Sequence, residues 1–217
     1  METICQVCNS VRDDCKLGIH FQKLLPKLRI AFRKYGFNIS IKSCRTPKLD
    51  SEEFYVNAYY DPVDDHLDDV AIEVIVFHNF DLAIIWDKKQ ITDLLIEIFD
   101  ALVHEFKHQR QSQKRQYESF WNNSTIPKQY LSDPDELDAY SISIAIELCR
   151  SLGKFRALRY MPKFSRLSRM RIRGRYASSN LYAYLETLGN LEQPIIKKLA
   201  KKIYIRLQKI DTDCIFM

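Results

Sequence analysis

Long apolar runs are what this 217-residue sequence lacks most clearly. None approaches the roughly 20 residues needed to cross a bilayer, which excludes a helical membrane span. The opening METICQVCNSVRDDCK has no apolar core of the kind a secretory signal needs, so a soluble protein made in a cytosol is expected. Glycine and proline are scarce, at 5 and 7 residues, which leaves little room for long linkers. Apolar residues make up 46%, too many for a disordered chain, and the length suits one compact core. Six cysteines are present: Cys5, Cys8, Cys15, Cys44, Cys149 and Cys214. Without a signal segment they are expected as reduced thiols. Cys5-x-x-Cys8, with Cys15 and His20, could form a small metal knuckle. Zinc modules usually add a second tight pair, so free thiols are the competing expectation.

Acidic residues are absent from 150 to 175, a stretch with ten Lys and Arg. Residues 1–149 hold 17 Lys and Arg against 24 Asp and Glu, a balance of −7. Residues 150–217 hold 16 against 4, a balance of +12. The overall +5 therefore hides an acidic body and a basic C-terminal third. Such asymmetry predicts an anionic partner for that third, either nucleic acid or an acidic protein surface. Phe155, Tyr160, Phe164 and Tyr176 are interleaved with the arginines, as suits phosphates and unstacked bases. The alternative is a basic surface that neutralises the chain's own acidic body.

Periodicity divides the chain. Leu17, Phe21, Leu24, Leu25, Leu28 and Phe32 predict a helix over 16–35, stopped by Gly36 and kinked or delayed by Pro26. Strands are predicted at Glu53–Tyr60, Asp69–Phe77 and Asp81–Trp86, with His78-Asn79-Phe80 as a turn and the acidic residues 61–69 as a loop. From about Ile91 the apolar spacing becomes helical and should continue to Tyr117 or Phe120. Asn122 to Pro127 is a predicted loop. Asp133-Pro134 then opens a helix that ends at Gly153. Further helices are predicted at Asn180–Leu188 and Pro194–Lys209. The layout is α+β: a small antiparallel or mixed sheet packed on a long helix and the helices after it, with a helical C-terminal part. Residues 1–152 are expected as one domain and 153–217 as a basic helical extension.

The long helix carries His104-Glu105-Phe106-Lys107-His108, an HExxH. Residues four apart share a helical face, so both imidazoles can reach one metal ion, and Glu105 stands beside that face as a general base. The chain's own His and Glu content makes a chance HExxH roughly a one-in-two-hundred event. The competing explanation is a core-edge His104 and a solvated His108. Zinc takes two His and one Glu in catalytic sites, and Glu136 in the first turn of the next helix is the favoured third ligand. Asp135 and Asp138 are the alternatives, and Asp133-x-x-Glu136 also reads as a capping box. Ala139, one turn on, is small enough to let helices approach closely. Tyr140, His78 and Tyr130 are candidate oxyanion donors, each equally explicable as packing or surface residues. Asp100, one turn before His104, could orient its ring.

HEFKH followed by ELDA, with 27 residues between His108 and Glu136, resembles the gluzincin pattern HExxH…ExxA. The strands ahead of the helix are similar to that clan's minimal core. The resemblance covers about residues 50–152. It implies Zn2+ on His104, His108 and Glu136, Glu105 as general base, and hydrolysis of a protein or peptide substrate. Larger gluzincins often carry an acidic residue four positions after the third ligand, where Tyr140 stands here. The Asn and aromatic residues that follow ExxA in regulator-cleaving phage and bacterial peptidases are also missing. More loosely, HEFKHQRQ, DPDELDAY and YLETLGNLEQPIIKKLAKKIY resemble metallopeptidase-like proteins of tailed bacteriophages. That resemblance implies a host cytoplasm or a virion, with phage structural proteins as partners. The basic stretch 150–175 makes nucleic acid a further expected partner.

Overall fold

In a computed structural model the protein is a mixed α+β chain. It describes residues 1–51, 53–117, 126–189 and 193–216. Phe120 and residues 122–125 of the predicted loop lie outside the described residues; the long helix ends at Lys114, short of Tyr117, and Pro127 opens a short helix instead of closing the loop. Two compact units are present: residues 1–119 with 216–217, and residues 120–215.

The first unit opens with α1 (Glu2–Asp14), where no helix was predicted. Ile4, Cys5, Val7, Cys8 and Val11 make its buried stripe, so cysteine serves here as a small apolar residue. A short strand β1 (Ile19–His20) leads into α2 (Phe21–Lys34), which starts later than Lys16 and carries Pro26 inside it. The first amides of α2 are satisfied by the chain ahead of Trp86: Phe21 N–H donates to Ile84 O at 3.0 Å and Gln22 N–H to Leu82 O at 3.1 Å. Only two residues of the third predicted strand pair, as β5 (Ile85–Trp86), and they pair with β1 rather than with the main sheet. Gly18 makes that approach possible: its φ is +85°, and a Cβ there would meet Trp86 O at 2.9 Å.

The main sheet has the order β2 (Ile39–Arg45), β4 (Ile72–His78), β3 (Phe54–Tyr60). β2 runs parallel to β4 and β3 antiparallel, so the sheet is mixed. β2 was not predicted. Only Ile41 of its seven residues is buried, so it has no strong alternating pattern. In β4, Ile72, Val74, Val76 and His78 face inward. Asp69 to Ala71, expected in the strand, precede it. The acidic segment expected as a loop contains a short helix, α3 (Pro62–His66), capped by Asp61 through the amides of Val63 and Asp64. Its Asp-Pro start is the same signal that opens the helix at 133–134.

The long helix α4 (Lys88–Lys114) begins at a full capping box, with Asp87 and Gln90 exchanging side-chain bonds to backbone amides. Ile91, Leu94, Leu95, Ile98, Phe99, Leu102 and Val103 are buried along one side. The helix packs on β3 and α1. Glu97 accepts from Val56 N–H at 3.0 Å, covering a donor of β3. Phe216 returns from the far end of the chain to this core, fully buried, with Phe99 at 6.4 Å and the Arg12 guanidinium 5.0 Å over its ring.

The second unit holds α5 (Pro127–Ser132), α6 (Pro134–Leu152), α7 (Lys154–Tyr160), α8 (Phe164–Ser168), a hairpin of β6 (Arg171–Ile172) and β7 (Arg175–Tyr176), α9 (Ser179–Leu188) and α10 (Pro194–Lys209). α6 has the predicted Asp133 cap, Pro134 at its first position and Gly153 at its end. Its buried Leu137, Ile144, Ala145 and Leu148 make the centre of the unit, with α10 and α9 packed on it. Glu147 ties α6 to α9 by accepting from Ser178 Oγ and, at 3.1 Å, from Asn180 Nδ2.

Replacing Phe216 by Ala removes a fully buried ring from the first unit and should cost about 3–5 kcal/mol. Denaturant unfolding of the full chain measures this. A loss below about 1 kcal/mol would mean that the ring is not part of that core.

Candidate metal centre

The two imidazoles of HExxH sit one turn apart on the buried margin of α4. His104 Nε2 and His108 Nε2 are 3.1 Å apart, with the rings tilted by 67°. Two nitrogens bound at about 2.0–2.1 Å to one tetrahedral zinc ion lie about 3.3 Å apart. The observed spacing therefore suits a shared metal ion, and it also suits a shared proton. His108 and Glu105 are buried and His104 half-buried, so this part of the helix is not the solvated basic face of the competing explanation. Asp100 stands half-buried one turn before His104. Burial, and after it the charges of Cys5 and Asp100, raise the pKa of the Cys8 thiol.

The turn after HExxH is held from α3. Asp65 accepts from Gln109 Nε2 at 2.6 Å, from Gln113 Nε2 at 3.3 Å and from the Tyr60 hydroxyl at 3.0 Å. Burial, and then the hydrogen bond to Asp65, push the Tyr60 pKa upward, which keeps it a neutral donor. Phe106 packs on Phe37 with ring centroids 5.3 Å apart. The helix is thus held between the two histidines and in the turn after them.

In the second unit Glu136 is buried in the first turn of α6. Asp133 caps the helix by accepting from Asp135 N–H at 2.8 Å. The Tyr130 hydroxyl neighbours the Glu136 carboxylate and Tyr140. Desolvation raises the Tyr130 pKa, and the neighbouring Tyr140 and Glu136 raise it further, so the phenol stays protonated. Tyr140 lies one turn after Glu136 and packs edge-on against Tyr184 at 5.1 Å. Tyr184 donates to Leu131 O at 3.2 Å. Its pKa too is pushed up, first by burial and then by Tyr140 and Glu136. Tyr184 was not singled out by the sequence, where its one signal is an aromatic at helical spacing in α9.

The alternative carboxylates separate cleanly. Asp138 is engaged by two cations of α10, Lys202 Nζ at 2.7 Å and Arg206 at 2.9 Å. Asp135 is half-buried beside the cap. Ala139 is fully buried. His78 is not an oxyanion donor: it is only 2% exposed, its Nδ1 lies 3.2 Å from Phe80 O, and its ring sits among Phe21 and Phe80. Burial lowers its pKa, so it is a neutral core histidine.

The proposed knuckle does not form. Among the described residues no metal-binding group of three contains a cysteine. Cys5, Cys8 and Cys15 are buried free thiols, and Cys8 Sγ lies 4.0 Å from Leu95 O. In a comparison with family models, curated proteins and solved structures, the chain matches none.

Desolvation raises the pKa of Cys5, Cys8, Cys15 and Cys149, which depletes the reactive thiolate. In the native protein at mildly alkaline pH, the exposed Cys44 should react first with a disulfide reagent. The four buried thiols should react only on unfolding. Prompt labelling of Cys5 or Cys8, identified by peptide mapping, would contradict their burial.

Proposed function

We propose that this protein is a zinc-dependent peptide hydrolase, with His104, His108 and Glu136 as the metal ligands and Glu105 as the general base. The observation that carries the proposal is the 3.1 Å spacing of the two Nε2 atoms on one rigid helix turn, with Glu105 between them in sequence. The donor set fits the ion: two imidazoles and one carboxylate are a catalytic zinc set, and these three residues offer it. The engagement of Asp138 by Lys202 and Arg206 supports Glu136 as the carboxylate. When bound, zinc would act as a Lewis acid on the scissile carbonyl and make water a better nucleophile near neutral pH.

The rest of the reaction falls to the chain's own groups. Glu105 takes a proton from the attacking water as its oxygen bonds to the carbonyl carbon. As the carbon–nitrogen bond breaks, the same carboxyl returns that proton to the leaving amine. The Tyr130 hydroxyl, a neighbour of Glu136, is the group that would orient that carboxylate. Tyr140 is the proposed donor to the developing oxyanion, one turn beyond Glu136. A cytoplasmic or virion setting, with phage structural proteins as partners, belongs to the same proposal.

A second reading is an interaction protein that retains the metal, and the exposed basic residues of α7, α8 and the β6–β7 hairpin favour it. Glu105→Gln separates the two. It should keep zinc, because the base is not a ligand, and should abolish hydrolysis of an unstructured protein such as casein. Equal turnover by the variant and the parent would place the chemistry elsewhere.

Metal analysis of the purified protein should find about one zinc per chain, lost in His104→Ala and in His108→Ala. Glu136→Gln can still make hydrogen bonds but is a poor zinc ligand, so it should weaken zinc binding by orders of magnitude. Unchanged zinc in both histidine variants would end the proposal.

A further inference from the structure

The second unit carries a set of exposed cations that no acidic group of the described residues pairs with. Between 156 and 175 there are seven arginines and one lysine, and all eight are exposed. None of them has an ion pair among the described residues. The contrast with α10 is sharp, since Lys202 and Arg206 there are half-buried and paired with Asp138. Like charges gathered without counter-charges repel one another and weaken the fold that holds them, so the arrangement suits an anionic partner.

The elements that hold these cations adjoin. α7 packs on α8, α8 on α9, and α9 on β7. Arg156 and Arg159 stand on α7, Arg166 in α8 and Arg169 just beyond it. The hairpin then places Arg173 at its tip. Arg173 and Gly174 have φ of +50° and +84°, the paired positive values of a two-residue hairpin turn that favours Asn and Gly. Arginine in that position holds a charge at the tip of the turn, at some backbone cost. Arg175 follows on the returning strand.

The aromatic residues beside these cations are of two kinds, rings already stacked within the unit and one open ring. Tyr176 and Tyr182 lie nearly parallel, 3.8 Å between centroids and 14° between planes. The Arg171 guanidinium also covers Tyr176, at 4.5 Å from the ring centre, and donates to its hydroxyl at 2.9 Å. Phe155 on α7 is 88% exposed beside Arg156, an expensive place for a phenyl ring in water.

From these observations we propose that the surface formed by α7, α8 and the β6–β7 hairpin binds single-stranded nucleic acid. Arg173, Arg175 and the α7 and α8 arginines contact phosphates, and Phe155 stacks on a base. The preponderance of arginine over lysine fits phosphate, which a planar guanidinium can bind through two parallel hydrogen bonds. The exposed Phe155 ring next to those cations fits an unstacked base, which any sequence of single strand offers. A lipid surface would need a continuous apolar face beside the charges, and on α7 Phe155 is the exposed large apolar residue.

The test is fluorescence anisotropy of the full chain with labelled oligo(dT) and oligo(rU), each about 20 nucleotides long so that several phosphates can be bound at once. Saturable binding is expected, with affinity falling linearly on a log–log plot against salt. The double variant R173A/R175A should flatten that slope by about 1.4, at roughly 0.7 for each phosphate no longer neutralised. Phe155→Ala should weaken binding about tenfold and leave the slope unchanged, as removal of one stacked base predicts. All three side chains are exposed, so thermal melting should match the parent for both variants. The proposal is overturned by any of three results: no saturable binding at low salt, tighter binding of a duplex, or tighter binding of polyglutamate or anionic vesicles. An unchanged salt slope in R173A/R175A would remove the hairpin from the binding surface.

Discussion

The structure of the first unit depends on the burial of one side of α4. Seven large apolar side chains from Ile91 to Val103 leave water along that helix. At about 1.5–3 kcal/mol each, their burial contributes on the order of 10–20 kcal/mol as an upper estimate. The Asp87–Gln90 capping box contributes about 1 kcal/mol and the Asp65 hydrogen bonds a similar amount each. Burial therefore decides which way the helix is turned, and the polar interactions decide where it starts and how its far turn is held. His104 and His108 inherit their direction from this. The buried stripe fixes the rotation of the helix about its axis, and the helical period then sets the face on which both rings stand.

In the second unit α6 is the spine, and its acidic residues are given different partners by different elements. Asp138 takes two cations from α10, Glu147 takes the amide and hydroxyl donors at the start of α9, and Glu136 has the Tyr130 hydroxyl as a neighbour. Half-buried carboxylates need such partners, because desolvation without hydrogen bonds or counter-charge costs several kcal/mol. The division has a chemical consequence. A carboxylate already neutralised by Lys202 and Arg206 is a poor metal ligand, whereas one oriented by a neutral phenol keeps its negative charge for a cation. Tyr130 and Tyr184, both kept protonated by burial, lie near Glu136, and both are ordinary aromatic positions in the sequence.

The basic C-terminal third contains two physically different populations of charge. Cations of α10 are partly spent inside the unit, and those of α7, α8 and the hairpin are spread on its surface. A net charge of +12 counts both alike. Exposure and pairing separate them, and so move the question from why the segment is basic to what the exposed arginines meet.

Five helices were legible in the sequence because their signals are local, α2 among them through its Leu24, Leu25, Leu28 and Phe32 spacing. α4 carries an apolar stripe at helical spacing, α6 lies between Asp133-Pro134 and Gly153, α9 ends at Gly189, and α10 opens at Pro194. The HExxH pair needed only the helical period to bring its two rings together. What local signals could not settle depended on distant partners. α1 was missed because Cys5 and Cys8 suggested thiol chemistry, although buried cysteine packs as a small apolar residue. β2 was missed because a strand with one buried side chain is held by its pairing with β4 more than by its own pattern. His78 looked available beside a turn, and the ring cluster of Phe21, Phe80 and Trp86 took it into the core. The choice among the carboxylates of α6 rested on cations some 64 and 68 residues away. Period, caps and stops are properties of neighbouring residues, so the sequence by itself determined the helices and the histidine pair. Burial and charge pairing join residues far apart in the chain, so only the tertiary structure decided which of their neighbours stayed available for chemistry.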